Sequence, residues 1–289
     1  MTEAPGVIRR WVLAARLRTL PAAAVPVAVG ASLVRPAPLC WLNTALCAVV
    51  ALSLQIGTNY ANDYSDGVRG TDEVRVGPFR LTASKLVSPA SVKYAAWGWF
   101  LLAGAIGLWL ASRTSWWLVA IGVTAVLAGW FYTGGPKPYG YYGFGELFVM
   151  AYFGFVATVG TSYVQDRTIP GSAWWFALAC GSMACALLEA NNLRDVTGDR
   201  VAGKKTMAAR LGREKASWLY ALCVAGVVAG VAAGGEPIVA LAAFVLYAPG
   251  VRMAFSARVG RELLALLKAS ARAQLAVGAL LVVTFFSTR

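Results

Sequence analysis

Apolar blocks of about 17–25 residues recur nine times along this chain of 289 residues, each long enough to cross the hydrocarbon core of a bilayer as a helix. In lipid every backbone polar group must be satisfied within the protein, so only helices and closed barrels span. A barrel would show short segments of alternating polarity instead. The pattern therefore predicts an all-α fold, a polytopic bundle of about nine transmembrane helices. The expected spans are 19–35, 38–62, 92–112, 115–133, 144–165, 172–193, 215–234, 236–256 and 265–287. One membrane domain covers 1–289. Composition agrees: 58% of residues are hydrophobic and 13% charged, against roughly 25% charged in soluble domains.

The chain contains no histidine, which removes imidazole ligands and histidine acid–base chemistry. Its five cysteines sit inside apolar blocks and form no C-x-x-C pair, so they read as small apolar residues. Residues 7–18 carry four arginines and read as an interfacial amphipathic helix, followed by a retained first span and not by a cleavage site.

Charge orients the bundle. With the N-terminus cytoplasmic, only Arg35, Arg113, Arg167 and Arg289 of the 26 basic residues fall outside. Such an excess of inner Lys and Arg is the positive-inside signal. It absorbs most of the +13 net charge, so nucleic acid is not needed as a partner. Trp41, Trp109, Trp116, Trp117, Trp174 and Trp175 fall near the expected outer boundary as an aromatic belt. Two longer connections, 63–91 and 195–214, emerge on the inner face, and loops of that length in a bundle tend to be functional.

Both connections begin with acidic, amide-flanked motifs. The first reads Asn59-Tyr60-Ala61-Asn62-Asp63-Tyr64-Ser65-Asp66 and continues to Asp72. The second reads Asn191-Asn192-Leu193-Arg194-Asp195-Val196-Thr197-Gly198-Asp199. On a helix Asn59, Asn62, Asp63 and Asp66 share one stripe, and so do Asn191, Asp195 and Asp199 if the second helix persists. Carboxylates at a membrane helix end are costly unless paired or hydrated. Yet six of the 13 acidic residues lie here: Asp63, Asp66, Asp72, Glu73, Asp195 and Asp199. Mg²⁺ takes a few carboxylates and fills its other positions with water and substrate phosphate oxygens. Asn62, Asp66, Asp72, Asn191, Asp195 and Asp199 are the candidate Mg²⁺ ligands. Interleaved Arg69, Arg75, Arg80, Lys85, Arg194, Lys204 and Lys205 could neutralise a diphosphate, and Arg69, Lys85, Lys204 and Lys205 are the candidates to clamp it. Glu146 and Glu189 suit either a site role or an interhelical contact. Tyr132, Tyr139, Tyr141 and Tyr142 read first as interfacial anchors.

These motifs resemble those of the UbiA superfamily of intramembrane aromatic prenyltransferases. The run NDYSDGVRGTD departs from the general N-x-x-x-D-x-x-x-D pattern at Gly70. That departure, with RVGPFRLTASKLVSP and NNLRDVTGDRVAGKKTMAARLG, resembles the branch acting on 1,4-dihydroxy-2-naphthoate in menaquinone biosynthesis. The resemblance implies a nine-helix bundle in the plasma membrane with two cytoplasmic Asp-rich motifs. It also implies a Mg²⁺ cofactor, a polyprenyl diphosphate donor and a dihydroxynaphthoate acceptor, the nearest alternative being another acceptor of the same superfamily, hydroxybenzoate or a lipid-linked one. Asp66 and Asp195 are then catalytic through the metal, and Asp63 is a candidate base or supporting residue. A CDP-alcohol phosphatidyltransferase is excluded, because Asp66-Gly67 is followed by VRGT and not by the family's x-x-A-R. A secondary transporter would carry its charges near the midplane, whereas these lie at helix ends.

Overall fold

A computed structural model describes residues 6–34, 39–71 and 79–287. Those residues are helical or irregular, with no strand among them. The helices are α1 (Val7–Ala14), α2 (Pro21–Ser32), α3 (Trp41–Val68), α4 (Pro89–Arg113), α5 (Trp117–Phe131), α6 (Gly145–Val149), α7 (Ala157–Asp166), α8 (Ser172–Val201), α9 (Met207–Leu211), α10 (Arg213–Ala233), α11 (Pro237–Ala254) and α12 (Leu264–Ser287). A π-helical turn, Met150–Val156, joins α6 to α7, so that Gly145–Asp166 forms one span.

A helix lies at each expected span, and among the described residues seven are long and apolar enough to cross a membrane unaided. The first and fourth fall short. α2 has 12 residues and α5 has 15, lengths of about 18 and 22 Å at ~1.5 Å per residue. α1 and α2 bend by 54° at their junction and would make an eighth span if counted together. The break follows from Arg16, held in the left-handed region at φ 55°, and from Pro21 at the start of α2.

α3 and α8 depart in the other direction. They run 28 and 30 residues, past the expected ends at 62 and 193, and carry both acidic motifs on continuous helix. At about 42 and 45 Å each is longer than the hydrocarbon core is thick.

α8 is the axis of the bundle. It packs against α2, α7, α10, α12 and the π turn, and small residues let it do so. Gly154 meets Gly181 so closely that a Cβ on Gly154 would stand 2.7 Å from the Ala177 carbonyl oxygen. Close approach through small residues is how helices associate where lipid leaves no hydrophobic driving force between them. α3, α4 and α5 pack together as a second group. The five cysteines are free.

The two faces of the bundle are distinct. Tyr60 donates to the Trp11 carbonyl at 3.0 Å, placing α1 beside the motif end of α3. At the opposite end Trp41 stacks on Phe286, near the close of α12. Trp41, Trp116, Trp117, Trp174 and Trp175 are exposed toward that end, as an aromatic belt requires. Gly154→Val is expected to destabilise the bundle by about 1–3 kcal/mol through overpacking at α8. Gly98→Ala, with open space at its Cβ, is expected to leave stability unchanged or slightly raised. Thermal unfolding in detergent would compare the two.

Candidate functional site

The motif ends of α3 and α8 meet at one cavity of about 1630 Å³. Asn59, Asn62 and Asp66 of the first motif and Asn191, Asn192, Arg194 and Asp199 of the second line it, together with Arg80, Tyr141, Lys204 and Thr206. The rest of the lining is mostly apolar, drawn from α4, α5 and the stretch 148–164.

Asp66 is the point of convergence. It is 1% exposed. Its Oδ1 accepts from the Tyr141 hydroxyl at 2.6 Å and lies 3.1 Å from the Lys204 ammonium, while its Oδ2 is 3.7 Å from Arg80. Lys204 belongs to the connection after α8, so this ion pair ties the two motifs together across 138 positions of sequence. Burial, then the Asp66 carboxylate, push the Tyr141 hydroxyl well above its usual range, which keeps it a donor. The Tyr141 ring carries Lys204 at 4.7 Å and Arg69 at 5.5 Å from its centroid.

Asn62 Oδ1 accepts from the Thr133 hydroxyl at 2.7 Å. Arg69 donates to the Thr133 and Gly135 carbonyls, bracing the 133–143 turn against the end of α3. Asp63, one residue on from Asn62, points elsewhere. Its two carboxylate oxygens accept from the backbone N–H groups of Leu81 and Thr82 at 2.8 and 2.9 Å. It therefore pins the loop that presents Arg80, and is absent from the cavity lining.

In the second motif Asp195 is held by Arg194 through two bonds of 2.7 and 2.6 Å and stays out of the cavity lining. Asp199 lines it and accepts from the Thr206 hydroxyl at 3.3 Å. Of the expected Mg²⁺ ligands among the described residues, those that line the cavity are Asn62, Asp66, Asn191 and Asp199. No group of three His, Cys, Asp or Glu residues among the described residues is arranged to hold a metal alone. Two carboxylates, two amides and room for phosphate oxygens fit Mg²⁺, a hard cation that rarely uses an all-protein cage.

The UbiA prenyltransferase family model matches residues 23–262. The chain belongs to the UbiA prenyltransferase family. It is similar to the 1,4-dihydroxy-2-naphthoate octaprenyltransferase of Mycobacterium tuberculosis, at 45% identity over 92% of this chain and 93% of that one. The enzyme of the same description from Escherichia coli is 34% identical over 75% of this chain and 73% of its own. Among solved structures, a UbiA homolog from Aeropyrum pernix matches with a TM-score of 0.68 at 16% identity, covering 99% of both chains. A homolog from Archaeoglobus fulgidus bound to GPP and Mg²⁺ matches with a TM-score of 0.66 at 14% identity, over 94% of this chain and 99% of that one.

In this UbiA family chain three of the basic residues expected to meet a diphosphate line the cavity: Lys204, Arg80 and Arg194. Lys85 and Lys205 are exposed and off the cavity, and Arg69 braces the 133–143 turn. Asp72 lies outside the described residues. Tyr141, expected first as an interfacial anchor, is instead a partner of Asp66. In that turn the Gly140 N–H donates to the Tyr132 carbonyl at 3.0 Å, and a Cβ at Gly140 would stand 2.6 Å from that oxygen. Asp63→Ala is expected to leave the Leu81 and Thr82 N–H groups without their acceptor, at about 1–3 kcal/mol. Limited proteolysis would show it as faster cleavage within 79–88.

Proposed function

We propose that this protein transfers a polyprenyl chain from polyprenyl diphosphate to 1,4-dihydroxy-2-naphthoate, releasing CO₂ and pyrophosphate and forming demethylmenaquinol. The observation that carries this reading is the single cavity with a cationic, oxygen-rich mouth and an apolar body, into which both motif helices deliver side chains. The relatives named as 1,4-dihydroxy-2-naphthoate octaprenyltransferases supply the acceptor.

Lys204, Arg80 and Arg194 offer positive charge to the diphosphate, and Asn62, Asp66, Asn191 and Asp199 would hold Mg²⁺ beside it. The metal, when bound, withdraws charge from the phosphate oxygens and makes pyrophosphate a better leaving group. The allylic C–O bond breaks with its electron pair going to pyrophosphate. The ring carbon bearing the carboxylate attacks the allylic carbon. Loss of that carboxylate as CO₂ returns an electron pair to the ring and restores aromaticity. A substitution that expels CO₂ requires no base at carbon, which agrees with Asp63 being a loop pin. Asp195 acts through Arg194, fixing the guanidinium that faces the cavity. The aromatic and aliphatic lining shields the allylic cation from water and houses the isoprenoid tail.

For topology we assign one domain over 1–289 with nine membrane passes in the plasma membrane. α2 with its bent lead-in and the short α5 complete the set. The N-terminus and the site then lie on the cytoplasmic side. The distribution of Lys and Arg supports this, as does the position of α1 beside the motif face with α12 ending at the other.

Asp66→Asn and Asp199→Asn are each expected to lower Mg²⁺-dependent transfer by at least ~100-fold at matched folded protein. The readout is mass spectrometry of the prenylated product. Near-normal turnover in both would remove the metal assignment. Tyr141→Phe keeps the ring beneath Lys204 and removes only the bond to Asp66. It is expected to slow transfer by about tenfold, one hydrogen bond to a charged group.

A further inference from the structure

Three polar side chains beside the cavity have no part in the chemistry above. Glu146 opens α6, and Glu189 and Asn192 lie one turn apart on α8. Asn192 Nδ2 donates to Glu146 Oε1 at 3.0 Å and to Glu189 Oε1 at 3.3 Å. Glu189 is 0% exposed. The second oxygen of each glutamate is buried, and the two carboxyl groups also interact with each other. Two acidic side chains inside a membrane bundle are expensive to keep, and such groups mark function more often than stability.

The cluster has a direction. Both glutamates lie off the cavity, whereas Asn192 lines it. An amide whose NH₂ is held by two carboxyl oxygens turns its carbonyl oxygen to the opposite side. In the structure the amide nitrogen faces both glutamates, which sets the carbonyl oxygen on the other side. The neighbourhood suits an aromatic ring: Gly145, beside Glu146, contacts Tyr132 and Leu188, and both also line the cavity. An inward carbonyl oxygen repels phosphate and accepts from a phenol.

We propose that Asn192 Oδ1 is the hydrogen-bond acceptor for one ring hydroxyl of the aromatic acceptor substrate, and that Glu146 and Glu189 are positioning residues that lock the amide in this orientation. The assignment rests on the functional reading above and adds the acceptor subsite to it. Sites built to bond a hydroxyl discriminate strongly against analogues lacking it, because the buried partner is then left unsatisfied.

The test measures steady-state kinetics with 1,4-dihydroxy-2-naphthoate, and inhibition constants for 1-hydroxy-2-naphthoate and 4-hydroxy-2-naphthoate, each lacking one hydroxyl. The full-length wild type, Asn192→Ala, Glu146→Gln and Glu189→Gln are compared in detergent or proteoliposomes. In the wild type one analogue is expected to bind about tenfold more weakly than the other. Asn192→Ala is expected to abolish that difference and to raise the acceptor KM about tenfold, with the donor KM within about twofold of wild type. Glu146→Gln and Glu189→Gln are expected to narrow the same difference in part, and they carry the comparison if Asn192→Ala does not fold. Equal binding of both analogues by the wild type would overturn the proposal. So would a discrimination that survives in every folded variant, or a loss confined to the donor KM. Absence of any turnover by the wild type would instead overturn the functional reading, and this assignment with it.

Discussion

A buried carboxylate needs company, and most of the site's architecture follows from how Asp66 obtains it. Removing a charge from water is repaid only by good geometry and further hydrogen bonds. Asp66 meets that condition with a hydroxyl from the turn after α5, an ammonium from the loop after α8 and a guanidinium from the loop after α3. Three connections that are remote in sequence are thereby drawn to one helix end. The Asp63 pin and the Arg69 braces hold two of those connections in place. The same cationic ring that stabilises Asp66 also faces the cavity, so the groups that hold the site together are those able to meet a diphosphate.

The scaffold behind this ring is stiff for a different reason. α8 is buried along most of its length by Ala, Gly, Ser and Cys, which allow neighbouring backbones to approach. A thin central helix leaves little freedom for its C-terminal turns, and those turns carry Asn191, Asn192, Arg194 and Asp199. α4 and α5 present large exposed apolar side chains to lipid and bound the apolar part of the cavity on their other side. The polar mouth is fixed by ion pairs and the apolar body by shape, a division that suits a substrate with a charged head and a hydrocarbon tail.

Much of this was readable along the chain. Apolar block length located a helix at each expected span, and the shared stripes of Asn and Asp placed both motifs at helix ends. The spacing rule was less good at saying which acid faces inward. Asp63 and Asp66 fall in the same ~100° stripe, yet one caps a loop and the other faces the cavity. Asp195, expected as a ligand, is engaged by its own neighbour Arg194. The charge pattern offered Arg69, Arg80, Lys85, Arg194, Lys204 and Lys205 alike, and only Arg80, Arg194 and Lys204 of these line the cavity. Loop basic residues are interchangeable to a composition argument, but the backbone route of the loop decides which can reach.

By itself the sequence determined that the chain is helical, that it is a multi-pass membrane protein and which two helix ends bear the acidic motifs. These are properties of local composition and period, and bilayer thickness and helix geometry set them without reference to distant residues. Tertiary structure alone decided that Tyr141 belongs to Asp66, that Lys204 bridges the motifs and that Asn192 is gripped by two glutamates. Those contacts join segments separated by up to 138 positions, and no local rule of pattern or propensity encodes which remote side chain will arrive at a buried carboxylate.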